Sequence, residues 1–99
     1  MAQRLAPSAE SDLDDIWYYV ATESGSVDIA DRIIEAITQS FWTIAQFPHI
    51  GRRRDRELSS GLRSFPVGDY IIFYRAEGRD VLILRVIRGS RNIEALLRD

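Results

Sequence analysis

The spacing of apolar residues changes at Pro48, and this change restricts the fold more than any other feature of the chain. Before it, Leu13, Ile16, Trp17, Val20 and Ala21 recur at the spacing of one helical face. Ala30, Ile33, Ile34, Ile37, Phe41, Ile44 and Ala45 form a second stripe of the same kind, separated from the first by Gly25. After Pro48 the pattern shortens to that of strands, in Leu62 to Val67, Tyr70 to Arg75 and Val81 to Arg88. Two one-sided helices joined by so few residues must form an antiparallel hairpin, since neither can bury its stripe alone.

Local chemistry sets the expected boundaries. Residues 2 to 6 form a short extended segment closed by Pro7. Ser8 takes the N-cap position of the first helix, with Glu10 and Asp12 in its first turn, where the dipole favours negative charge. The second helix starts near Ser26 or Asp28 and ends at Pro48. Residues 49 to 61 are polar, arginine-rich and bracketed by Gly51 and Gly61, which predicts a loop. Pro66 within the next strand calls for a sheet edge or a bulge. Gly68-Asp69 and Glu77-Gly78 are the turns of a three-stranded meander. Its last strand is apolar on both faces, with Val81, Ile83 and Ile87 opposing Leu82, Leu84 and Val86, as a central strand should be. Gly89 ends that strand, and Asn92 to Leu97 has the pattern of a short terminal helix. The expected fold is α+β: an N-terminal strand, a helix hairpin, an antiparallel meander and a short C-terminal helix, with the helices on one sheet face. Residues 1–99 suffice for a single domain and not for two.

Charge is divided along the chain. All 13 basic residues are arginines. Arg4 and Arg32 stand against eight acids up to residue 50, whereas eleven arginines stand against seven acids after it. An acidic half joined to a basic half points to an anionic partner, and the planar guanidinium fork suits carboxylate or phosphate. The absence of lysine removes it from any catalytic scheme. There is no cysteine and one histidine, so neither a disulfide framework nor the usual zinc ligand set can be assembled, and no cofactor is implied. No stretch approaches the roughly 18 apolar residues of a membrane span, and the N-terminus lacks an apolar leader core. A cytoplasmic protein with no membrane contact is expected.

Pro48-His49-Ile50-Gly51-Arg52, Gly61-Leu62-Arg63-Ser64-Phe65, Tyr70 to Arg75 and Ile83 to Arg91 resemble, in that order, the RelE/ParE toxin superfamily, and its ParE branch more closely. Ala9, Asp12-Leu13, Ile16 and Tyr19 are similar to that family's first helix. The resemblance implies the same α+β fold and a toxin of a type II toxin–antitoxin pair. It also implies DNA gyrase as the target, neutralisation by a ParD-like antitoxin, and no sequence-specific DNA binding without that antitoxin.

Arg63 and Arg85 match positions at which RelE relatives hold a scissile phosphate, where preorganised guanidinium groups would stabilise developing charge. Ribonucleolysis also needs groups that move protons. Relatives keep these near the C-terminus, but this tail has no tyrosine, histidine or lysine, and Glu94 is its only acid before Asp99. No catalytic residue is therefore assigned; Arg63 and Arg85 would serve only the nuclease alternative. A third alternative is a family member that binds its antitoxin and poisons nothing. The residues expected to meet the target are Arg52, Arg53, Arg54, Arg88, Arg91 and Asn92. Those expected to meet the antitoxin are Trp17, Trp42, Arg63, Tyr70, Tyr74 and Arg85. Tyr70 and Tyr74 share a strand face by period two. Trp17 also belongs to the apolar face of its helix, and Trp42 lies off its stripe, over the sheet edge or in solvent. His49 reads as a loop residue, and Asp12, Asp14 and Asp15 as helix-start carboxylates on a solvated face.

Overall fold

The computed structural model describes residues 2–54 and 61–89. Strand β1 (Gln3–Leu5) leads into helix α1 (Pro7–Ser24) and helix α2 (Val27–Gln46). Strands β2 (Arg52–Arg53), β3 (Arg63–Val67), β4 (Tyr70–Glu77) and β5 (Asp80–Arg88) follow. The helix expected at Asn92 to Leu97 lies outside the described residues.

The helix hairpin is where periodicity placed it. Gly25 caps α1 in the left-handed region at φ 68°, a conformation that side chains with a Cβ rarely adopt. Ser26 caps α2, its hydroxyl accepting the Ile29 N–H at 3.2 Å. The start of α1 is different from expectation. Ala6, not Ser8, is its N-cap, with Pro7 in the first turn and no side-chain cap. Proline suits that position because its ring presets φ and its missing N–H would be an orphan there in any case.

Among the described residues the sheet has five strands, in the order β1-β5-β4-β3-β2. The expected meander forms its centre, with Val67 opposite Tyr70 and Glu77 opposite Asp80. The second turn is thus Gly78-Arg79 rather than Glu77-Gly78. In each turn a glycine with positive φ comes first, at 57° for Gly68 and 61° for Gly78, a backbone state that tight two-residue hairpins need. The N-terminal strand joins this meander in parallel, Gln3 to Leu5 lying beside Val81 to Ile83. On the far side, part of the predicted loop is a strand: Arg52 pairs with Ser64 and Arg53 with Arg63. β2 ends short of Pro66, so that proline lies where β3 has no outer neighbour.

Ile37, Phe41 and Ile44 of α2 pack with Ile72, Tyr74, Val81, Ile83 and Val86 on the helix-covered face of the sheet. Full burial of each such aliphatic or aromatic group stabilises the fold by about 1.5–3 kcal/mol. Leu62, Phe73 and Ile87 form a second cluster with Ile71 and Leu84 on the other face. Ile87 and Val86 therefore stand on the faces opposite to those expected from strict alternation. A register shift explains it. Phe73 pairs with Arg85 but Tyr74 with Ile83, leaving Leu84 as an extra residue in β5. One inserted residue inverts the side-chain parity of everything after it.

Candidate functional site

The segment after α2 is pinned to the sheet before it displays its arginines. Tyr74 is completely buried, and its hydroxyl donates to the Pro48 carbonyl at 2.9 Å and accepts the Gly51 N–H at 2.8 Å. Arg63 Nη1 donates to the Gly51 carbonyl at 2.9 Å and to the His49 carbonyl at 3.4 Å. Arg54 donates its N–H to the Leu62 carbonyl at 2.8 Å and its Nε–H to the hydroxyl of buried Ser64 at 2.8 Å. Gly51 has room for no side chain: a Cβ there would lie 2.7 Å from the Tyr74 ring and 2.8 Å from the Ser64 carbonyl oxygen. Arg52 and Arg53 are exposed on the resulting edge strand and alternate between its two faces.

Tyr74 is thus a core residue, and the placement corrects its expected role as a direct antitoxin contact. A ring on the helix-covered face of a central strand has no surface to offer. Burial pushes its phenol above the ordinary 10.0, with opposing contributions from the Gly51 N–H and Arg63. The Tyr70 phenol is raised as well, chiefly by burial. Both hydroxyls stay protonated at neutral pH and can donate, but neither can act as a base there.

Arg85 is engaged on the other side of β4. β1 ends at Leu5, so the outer edge of β5 beyond Ile83 is open to α1. Asp12 fills it. Its carboxylate accepts Arg85 Nε at 2.7 Å, Arg85 Nη2 at 3.0 Å and the Val86 N–H at 2.9 Å. The Asp12 side chain is only 12% exposed and that of Arg85 25%, which corrects the reading of Asp12 as a solvated helix-start acid. The bond to Asp12 raises the Arg85 pKa further, so its charge is permanent. Arg63 and Arg85 do not converge. β4 lies between their strands, and each guanidinium is held by its own partner.

Arg88, next along β5, is exposed and anchored differently. Its Nη1 donates to the Tyr19 hydroxyl at 3.0 Å, and its guanidinium carbon stands 5.2 Å from the centre of the Tyr19 ring. Together with Tyr70, Asp15 and Ile16 these residues line an open cleft of about 400 Å³ between α1 and the end of β5. Trp17 is half-buried against the core and donates its Nε1–H to Asp31 at 2.8 Å, joining α1 to α2. Trp42 is 62% exposed on α2, which decides between the two places its position allowed. Phe47 and Ile50 are exposed at the end of that helix and just after it. Arg91 and Asn92 lie outside the described residues. The residues that sequence reasoning missed are Asp12, Tyr19 and the Pro48–Gly51 backbone. Their partners are 12 to 74 positions away, and no local pattern marks them.

A mixed sheet covered on one face by an antiparallel helix hairpin matches the ParE/RelE-like fold. A solved structure titled "Chromosomal ParDE TA system from P. aeruginosa" has this fold, with a TM-score of 0.79 at 23% identity over 91% of this chain and 97% of that one. Residues 4–93 match the family described as the ParE toxin of type II toxin-antitoxin system, parDE. Two toxins of Caulobacter vibrioides are similar to it in sequence. ParE3 is 37% identical over 86 residues, 87% of this chain and 84% of its own. ParE1 is 37% identical over 94 residues, 95% of each. The chain belongs to the ParE toxin family of type II toxin–antitoxin systems.

Proposed function

We propose that this toxin acts in the cytoplasm, as a single domain spanning residues 1–99, by binding DNA gyrase and stalling it on DNA, with no catalytic step of its own. The observation that carries the non-catalytic reading is the separation of Arg63 and Arg85. Each guanidinium is used within the fold, on opposite sides of β4, so neither is placed to share a phosphate with the other. The edge arginines Arg52 and Arg53, with Arg54 behind them, and exposed Arg88 are the target-facing groups, continued by Arg91 and Asn92. Guanidinium forks at an edge suit a phosphate-bearing complex such as gyrase held on DNA. Among the described residues no helix is long and apolar enough to cross a membrane.

A ParD-like antitoxin neutralises the toxin in this reading, in keeping with the ParDE title of the solved relative. Its contacts centre on exposed Trp42, with Phe47 and Ile50 beside it in the chain, and on the Tyr70 cleft. Arg63 and Arg85 act in antitoxin binding only by shaping the surfaces they brace. The decisive experiment runs gyrase supercoiling and DNA-cleavage assays beside an assay of mRNA cleavage on translating ribosomes. Inhibited supercoiling with intact mRNA is the expected result. Codon-specific mRNA cuts that vanish in Arg85→Ala would replace this function by ribonucleolysis.

A further inference from the structure

We infer that the Tyr74 hydroxyl is a positioning group that presents the arginine edge to its anionic, phosphate-bearing partner, an inference that rests on the target-facing role proposed for Arg52 to Arg54. The hydroxyl ties the chain leaving α2 to the central strand in both hydrogen-bonding roles: it donates to the Pro48 carbonyl and accepts the Gly51 N–H. Those two bonds, closed by Arg63 on the Gly51 carbonyl, fix both peptide groups that immediately precede and include the last residue before β2. From Gly51 onward the path leaves little freedom, because the residue packs against the tyrosine ring closely enough to forbid a Cβ. Arg52 and Arg53 then fall into register with Ser64 and Arg63.

Arg53 stands directly opposite Arg63 in the ladder, where like charges repel. An edge strand of two residues has few ladder bonds of its own to hold its register. The Tyr74 node supplies the constraint from inside the core, and the carbonyls of Gly51 and His49 take up the Arg63 guanidinium. Binding a polyanion with a preset edge avoids the ordering cost that a mobile arginine loop would incur on association. The ring of Tyr74 belongs to the core, whereas its oxygen serves the edge. The two roles can be separated by one atom.

The test is Tyr74→Phe, which keeps the ring and removes the oxygen. Ile37→Val, fully buried in α2, serves as a comparator of reduced stability that keeps the Tyr74 hydroxyl and its two bonds. Amide exchange in Tyr74→Phe should accelerate at Gly51 and Arg54 by at least about tenfold beyond any change at α2 amides, reflecting loss of a buried hydrogen-bond partner. The expression level needed to arrest growth, and the concentration that inhibits gyrase, should each rise about tenfold, with Ile37→Val unchanged in both. Equal acceleration at every amide, or faster exchange at the edge with wild-type growth arrest, would overturn the positioning role. Arg52, Arg53 and Arg54 changed together to alanine separate the two layers. If that variant arrests growth like the wild type, the target-facing reading fails and the inference with it. If it is inactive while Tyr74→Phe is fully active, only the positioning role fails.

Discussion

Replacing Asp12 by alanine should be among the most damaging single changes on the surface of α1, although nothing in the local sequence marks it. The carboxylate accepts three hydrogen bonds, two from Arg85 and one from the Val86 N–H. Its removal strands a partly buried guanidinium and leaves a strand N–H without its acceptor. A hydrogen bond to a charged group is worth about 1.5–3 kcal/mol, and an orphaned buried donor costs about 1–3 kcal/mol. Arg85 keeps a quarter of its side-chain exposure and recovers some hydration, so the sum is discounted to about 3 kcal/mol. At about 4–8 °C per kcal/mol for a domain of this size, the melting temperature should fall by about 12–24 °C. Asp12→Asn retains an acceptor for Val86 and loses the ion pair, so it should cost about 1–2 kcal/mol. Urea unfolding followed by circular dichroism measures each variant, and a cycle with Arg85→Ala should give a coupling of about 1–3 kcal/mol. A loss below about 1 kcal/mol for Asp12→Ala, or strict additivity with Arg85→Ala, would refute the idea that this pair closes the open edge of β5.

Gly51→Ala should destabilise the protein by about 1–3 kcal/mol in the same unfolding assay, because the added Cβ meets the Tyr74 hydroxyl at 2.5 Å and the Ser64 carbonyl at 2.8 Å. Alkali should act through Tyr74. Its folded pKa is raised by burial, so its contribution to stability is complete below the ordinary 10.0 and disappears as pH rises through the folded value. The stability gap between wild type and Tyr74→Phe should therefore be constant up to about pH 9 and narrow above about pH 10, as read by denaturant titration at each pH. Trp42→Ala should change stability by no more than about 0.5 kcal/mol, since the ring is mostly in solvent, yet weaken antitoxin binding about tenfold by calorimetry. Unchanged antitoxin affinity would remove Trp42 from the interface.

Much of the architecture is written in local pattern. The stripe Ile33, Ile37, Phe41, Ile44 can be satisfied only by a helix with one buried side, and Gly25 followed by Ser26 is both a stop and a start. Gly68 and Gly78 announce hairpins because few other residues tolerate their backbone state. The arginine-rich second half and its order of short motifs were enough to suggest the toxin family, which the match over residues 4–93 then showed. These features are legible because each depends on residues a few positions apart.

The partners of individual side chains are a different matter. Asp12 and Arg85 are 73 positions apart, and they meet because β1 is three residues long and leaves an edge for α1 to close. Tyr70 and Tyr74 look equivalent at period two, yet only Tyr74 faces the segment leaving α2 and is sealed by it. Val86 and Ile87 exchange faces because one extra residue enters β5 at Leu84, an event that alternation cannot announce in advance. The sequence by itself determined the two helices and the strands of the meander, since side-chain periodicity and glycine stereochemistry act over a few residues, but not the edge strand Arg52–Arg53. Only the tertiary structure decided which arginines brace the fold from within and which lie exposed at its edge, because that depends on register and strand length, which bring distant groups within a hydrogen bond of one another.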